Sequence, residues 1–106
     1  MAKIERFEEI DAWKKARELT KNIYEITGKG NISKDFALRD QLRRASVSIM
    51  ANIAEGFERG GNKEFRQFLA VAKGSVGEVK AQLYVALDSH LMPLEQFNSL
   101  MALANE

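Results

Sequence analysis

Cysteine is absent from the 106 residues, which excludes disulfide frameworks, thiolate metal sites and cysteine nucleophiles together. Histidine occurs once, at His90, and the residue three before it is Leu87. The paired Glu-x-x-His motifs of a di-iron bundle therefore cannot be assembled. Nowhere do about 18 apolar residues run together, so no membrane span is expected. The stretch from Met1 to Glu9 lacks the apolar centre of a secretory signal. These absences lead to the expectation of a cytoplasmic, non-enzymatic protein with no catalytic residues, no metal and no cofactor.

What is present is globular in composition, at 45% hydrophobic and 29% charged residues. The length suits one domain over residues 1–106. Net charge is +1, but it is unevenly spread. Residues 31–73 carry eight basic and five acidic side chains, whereas residues 74–106 carry one and four. The middle of the chain is thus its basic part, a modest electrostatic footprint for nucleic acid.

No alternating strand pattern of useful length occurs, while helical periodicity recurs. Four helices are expected, at about 8–27, 34–58, 62–90 and 94–105. The first carries Ala12, Ala16, Leu19, Ile23 and Ile26 on one stripe, with Trp13 and Tyr24 beside it, and ends at Gly28 in a left-handed turn. The second, capped by Ser33, carries Leu38, Leu42, Ala45, Ile49, Asn52 and Gly56. Phe36, Val47 and Ala54 widen that stripe to an arc near half the circumference, which fits a central helix or a subunit interface. The third, capped by Asn62, has the most regular seam: Phe65, Leu69, Ala72, Val76, Val79, Leu83, Ala86 and His90. Pro93 cannot continue it and starts a short fourth helix. The architecture expected is all-α: an antiparallel up-down four-helix bundle whose short fourth helix leaves apolar length on helices two and three for a neighbouring copy to cover.

Three features point toward chemistry or partners. Arg39, Arg43 and Arg44, with Arg59, Lys63 and Arg66 around the following turn, form the densest basic zone. They suit RNA or DNA phosphates, or ion pairing with Asp40, Glu55, Glu58 and Glu64. Glu55 and Glu58 themselves fall on the polar side of their helix and read as solvated or paired rather than catalytic. Small residues crowd both long helices, and Gly74 and Gly77 inside a helix each cost about 1 kcal/mol against alanine, which suggests close helix packing. Asn52 on the seam suggests a register-fixing polar contact.

The runs Phe7-Glu8-Glu9-Ile10-Asp11-Ala12-Trp13, Gln41-Leu42-Arg43-Arg44-Ala45-Ser46-Val47-Ser48-Ile49, Asn52-Ile53-Ala54-Glu55-Gly56, and Lys63-Glu64-Phe65 followed by Phe68-Leu69 occur in this order. Together they resemble the ribosomal-protein-like four-helix-bundle proteins encoded in intervening sequences of bacterial 23S rRNA genes, over about residues 4 to 92. The resemblance implies an antiparallel bundle assembled as a homopentamer with no known catalytic activity. A related branch comprises retroelement accessory proteins that bind nucleic acid and a reverse transcriptase. Nucleic-acid contact would carry over onto Arg43, Arg44, Arg59 and Lys63. Phe36, Val47, Asn52, Ala54 and Gly74 are the candidate packing and oligomer residues. The alternative is a protein-interaction scaffold, for example for a polymerase, without direct nucleic-acid binding.

Overall fold

The computed structural model describes residues 3–106, and its helices are α1 (Asp11–Thr27), α2 (Phe36–Glu58), α3 (Asn62–Asp88) and α4 (Leu94–Ala104). Short 3-10 turns at Phe7–Glu9 and Asn31–Lys34 precede α1 and α2. No strand occurs among the described residues. Neighbours in sequence are neighbours in space: α2 packs on α1 and α3, and α4 lies between α3 and α1. The result is a four-helix bundle with extents of 46 × 23 × 18 Å.

Four of the eight helix ends coincide with the sequence expectation and four differ by one to three residues, most of these for a local reason. The first helix starts at Asp11 rather than 8, because Phe7–Glu9 tightens into its own turn and stacks Phe7 edge-on against Trp13 at 5.1 Å. Asp35, not Ser33, caps α2, its carboxylate accepting the Leu38 backbone N–H at 3.1 Å. Ser33 instead donates its hydroxyl to the Gly30 carbonyl. Asn62 does not cap α3; Gly61 holds that position with no side-chain bond. The left-handed turn residues are Gly30 and Gly60, while Gly28 keeps a right-handed φ of -84°.

His90 is the largest departure. It lies outside α3, exposed, at φ +59°, rather than on the buried seam. The Leu91 N–H reaches back to the Ala86 carbonyl and the His90 N–H to Leu87. That pair of bonds is the Schellman closure, which normally places glycine where this chain has histidine.

The core is continuous along the bundle. Trp13, Ala16, Leu19, Ile23 and Thr27 face inward from α1, so its buried stripe is rotated toward Trp13 and leaves Ala12 exposed. On α2 the interior line is Leu38, Leu42, Ala45, Ile49, Ile53 and Gly56. Asn52 therefore lies beside the buried line, half-buried, and bonds within its own helix to the Ser48 carbonyl and hydroxyl. The Ser48 hydroxyl in turn meets that of Ser75 at 2.9 Å, the polar tie between α2 and α3.

On α3, Ala72, Val79, Leu83 and Ala86 are buried and Phe65, Leu69 and Val76 half-buried. Most of this seam is thus covered within the chain, and Phe65, Leu69 and Val76 keep part of their surface open. The exposed large apolar side chains are elsewhere, among them Phe36, Val71, Val85 and Leu94, each more than half exposed.

Gly56 and Gly74 have opposite surroundings. A Cβ at Gly56 would lie 2.7 Å from the Phe68 Cβ, so α2 and α3 cross closely there. In front of Gly74 and Gly77 there is nothing within 4 Å. Close packing within the chain does not account for those two.

Candidate nucleic-acid interface

The six basic residues picked out from the sequence do not form one patch. Arg39, Arg43 and Arg44 lie in the first third of α2, and Arg59, Lys63 and Arg66 around its far end. The sixteen positions from Arg43 to Arg59 put the two groups about 24 Å apart along the helix.

Three of the six are committed to the fold. The Arg43 guanidinium stacks over the Tyr24 ring at 4.6 Å and donates to the Thr27 hydroxyl at 2.9 Å and the Tyr24 carbonyl at 3.4 Å. It thereby closes the C-terminal end of α1, where the helix dipole favours a cation. Arg39 stacks over Phe36 at 4.8 Å, pairs with Asp40 and donates to the Ser33 carbonyl. Arg59 pairs with Glu55 at 3.0 Å and covers Phe68. Arg44, Lys63 and Arg66 are exposed and make no ion pair among the described residues. Around the turn between α2 and α3 the cations Arg59, Lys63 and Arg66 are matched in number by Glu55, Glu58 and Glu64, so the charge there is balanced.

A basic strip that the sequence reading passed over lies on α1. Lys14, Arg17 and Lys21 are exposed at spacings of three and four, and Tyr24 continues the line. The Tyr24–Arg43 contact joins this strip to α2, and the Thr20 hydroxyl bonded to the Ser46 carbonyl holds the two helices together midway. Arg17 stacks over Trp13 at 5.8 Å. The acidic residues Asp11, Glu18 and Glu25 repeat every seven positions and flank the strip along one edge, each three or four positions from Lys14 or Lys21. The signal available in the sequence was the three-four spacing of like charges, which a search for the densest basic stretch overlooks.

Little else offers chemistry. The Glu8 carboxyl is held below its ordinary value by its own backbone N–H and, secondarily, by Arg6. Among the described residues no group of three or more His, Cys, Asp or Glu is placed to hold a metal ion. No described helix is long and apolar enough to cross a membrane.

Residues 8–106 match the 23S rRNA-intervening sequence protein family. The chain belongs to that family. A solved structure of a Bacteroides thetaiotaomicron protein of unknown function, from the S23 ribosomal protein family, superposes with a TM-score of 0.80. It is 24% identical, over 89% of this chain and 88% of that one, a likeness that concerns the fold. No curated protein matches the chain.

Proposed function

We propose that the protein is a non-enzymatic, self-associating bundle that binds RNA or DNA through phosphate contacts on the outer face of α1 and α2. The observation that carries this reading is the strip Lys14, Arg17, Lys21, joined at Tyr24 to Arg43, with no ion pair to any of them among the described residues. Rigid cations over aromatic rings suit a phosphate chain without sequence readout. Arg44, exposed beside Arg43, extends the strip onto the back of α2.

Self-association is supported by the outward side of α3. Val71, Gly74, Ala81 and Val85 are exposed there at helical spacing, with Glu78 the charge among them. Gly74 costs the helix about 1 kcal/mol, and among the described residues nothing lies within 4 Å of where a Cβ would stand. The backbone of a second copy would account for that glycine. The resemblance to pentameric relatives points the same way. Repeating a weak strip around an assembly raises the effective concentration of sites.

Fluorescence anisotropy with a labelled RNA and a labelled DNA duplex tests the binding. Four phosphate contacts predict affinity about a hundred-fold weaker at 200 mM than at 50 mM salt. The triple variant Lys14→Glu, Arg17→Glu, Lys21→Glu should abolish binding while leaving the circular dichroism spectrum unchanged. Absence of binding at low salt, or binding that survives the triple variant, refutes the reading. Light scattering reports assembly separately, with Gly74→Arg expected to lower the mass.

A further inference from the structure

Tyr24 is a surface tyrosine held from one side. The Arg43 guanidinium lies 4.6 Å from its ring centroid and covers one face. That guanidinium is itself fixed, because it donates to the Thr27 hydroxyl at 2.9 Å and to the Tyr24 carbonyl at 3.4 Å. The buried Thr27 hydroxyl donates in turn to the Ile23 carbonyl. With one face covered, Tyr24 is still 44% exposed, so the open area is its other face and its edge. Tyr84 is the contrast. It is 51% exposed, but it meets Phe97 edge-on at 5.0 Å and has no guanidinium over its ring among the described residues.

The cations of α1 lead to Tyr24. Lys21 and Arg17 precede it by three and seven positions, about 4.5 and 10 Å along the axis. At about 100° per residue Tyr24 falls on one edge of that strip and Glu18 and Glu25 on the other. The Tyr24 edge is the one toward α2, where Thr20 and Thr27 bond to Ser46 and Arg43. A phosphate chain that follows the strip therefore reaches the open ring on the side away from those carboxylates.

Resting on the phosphate-binding reading above, we propose that Tyr24 is a stacking platform for an unpaired base, so that the protein prefers single-stranded RNA or DNA to a duplex. In a duplex both faces of each internal base are already stacked on its neighbours, and only the phosphates reach the strip. A single strand brings the same phosphates together with a free base face at every nucleotide. Every base has such a face, so the platform carries no sequence preference. Arg43 behind the ring holds Tyr24 in place before the strand arrives, which lowers the ordering that binding has to supply.

The test uses the full chain and fluorescence anisotropy at about 50 mM salt. The probes are oligouridine and oligothymidine of about eight nucleotides, an abasic strand of the same length, and RNA and DNA hairpin duplexes with the same number of phosphates. At least one of the two single strands is expected to bind about tenfold more tightly than its own duplex and than the abasic strand, and which one does so distinguishes RNA from DNA. Tyr24→Leu should remove that difference. Tyr24→Phe, which keeps the ring, and Tyr84→Leu should retain it. In the unsubstituted protein, NMR signals of the Tyr24 ring should move upfield with the preferred single strand and not with inorganic polyphosphate. Affinity for the single strands no greater than for the duplexes or the abasic strand, or a preference that survives Tyr24→Leu, overturns the stacking platform and leaves the phosphate reading standing. Binding to none of the probes refutes both.

Discussion

Two helical glycines, Gly56 and Gly77, should respond to the same substitution with opposite sign. Alanine is favoured over glycine in a helix interior by about 1 kcal/mol, so with free space the exchange stabilises. At Gly77 nothing lies within 4 Å of the new methyl, and Gly77→Ala should gain about that amount. At Gly56 the methyl would sit 2.7 Å from the Phe68 Cβ and 3.1 Å from the Phe65 ring, against an optimum near 3.5–4.0 Å for carbon pairs. The Phe68 Cβ is fixed to the α3 backbone, so no rotamer change relieves the contact and the two helices must separate. Overpacking of this kind costs about 3 kcal/mol at the upper end of its range, which leaves Gly56→Ala a net loss of about 2 kcal/mol. Urea unfolding at one fixed chain concentration reads both. With about 3 kcal/mol between the variants and slopes of about 1–3 kcal/mol per molar, their midpoints should differ by about 1 M or more. A Gly56→Ala midpoint at or above that of the unsubstituted protein would refute the close crossing of α2 and α3.

Adjacent arginines should separate structure from surface: Arg43→Ala loses the bonds to Thr27 and Tyr24 and the ring stacking, about 2 kcal/mol, whereas Arg44→Ala changes stability by less than about 0.5 kcal/mol. Thermal unfolding of the two single variants checks this, and equal midpoints would contradict the assignment. His90→Gly should raise stability by about 1 kcal/mol, because glycine takes the left-handed conformation without the Cβ penalty; a lower midpoint would show that the imidazole makes a contact of its own. In acid, Glu8 favours the folded state above its unfolded pKa, and that contribution disappears as pH falls through the lower folded value. An NMR titration should find it below an ordinary glutamate, with Arg6→Ala restoring only part of the shift, since its backbone N–H is the larger cause.

Much of the bundle was legible in one dimension because helical periodicity is a local property. The three-four spacing from Leu69 through Ala86 is a seam wherever α3 goes, and Pro93 marks the start of the next helix. Closures were harder to read because competing caps sit side by side. Asp35 and Ser33 are both good N-caps, and the geometry of the Asn31–Lys34 turn, which occupies the Ser33 hydroxyl, decides between them. His90 continued the seam arithmetic by one step, yet α3 ends two residues earlier, at Asp88, and His90 itself takes the left-handed turn.

The candidate interface was legible only in part. Arg43 and Arg44 are neighbours in sequence, but the first is stacked on Tyr24 and the second exposed. Which of two adjacent arginines is spent on structure depends on which direction α1 approaches from. Lys14, Arg17 and Lys21 are too spread along the chain to register as a cluster, and become one only when α1 is wound.

The sequence alone therefore determined the number, order and apolar faces of the helices, because these follow from residue spacing and turn chemistry within a few positions of each residue. Only the tertiary structure decided which glycine is squeezed and which is open, and which of Arg43 and Arg44 is spent on Tyr24 and Thr27. Each of those is a relation between side chains on different helices, set by how far apart their axes lie and how they are rotated.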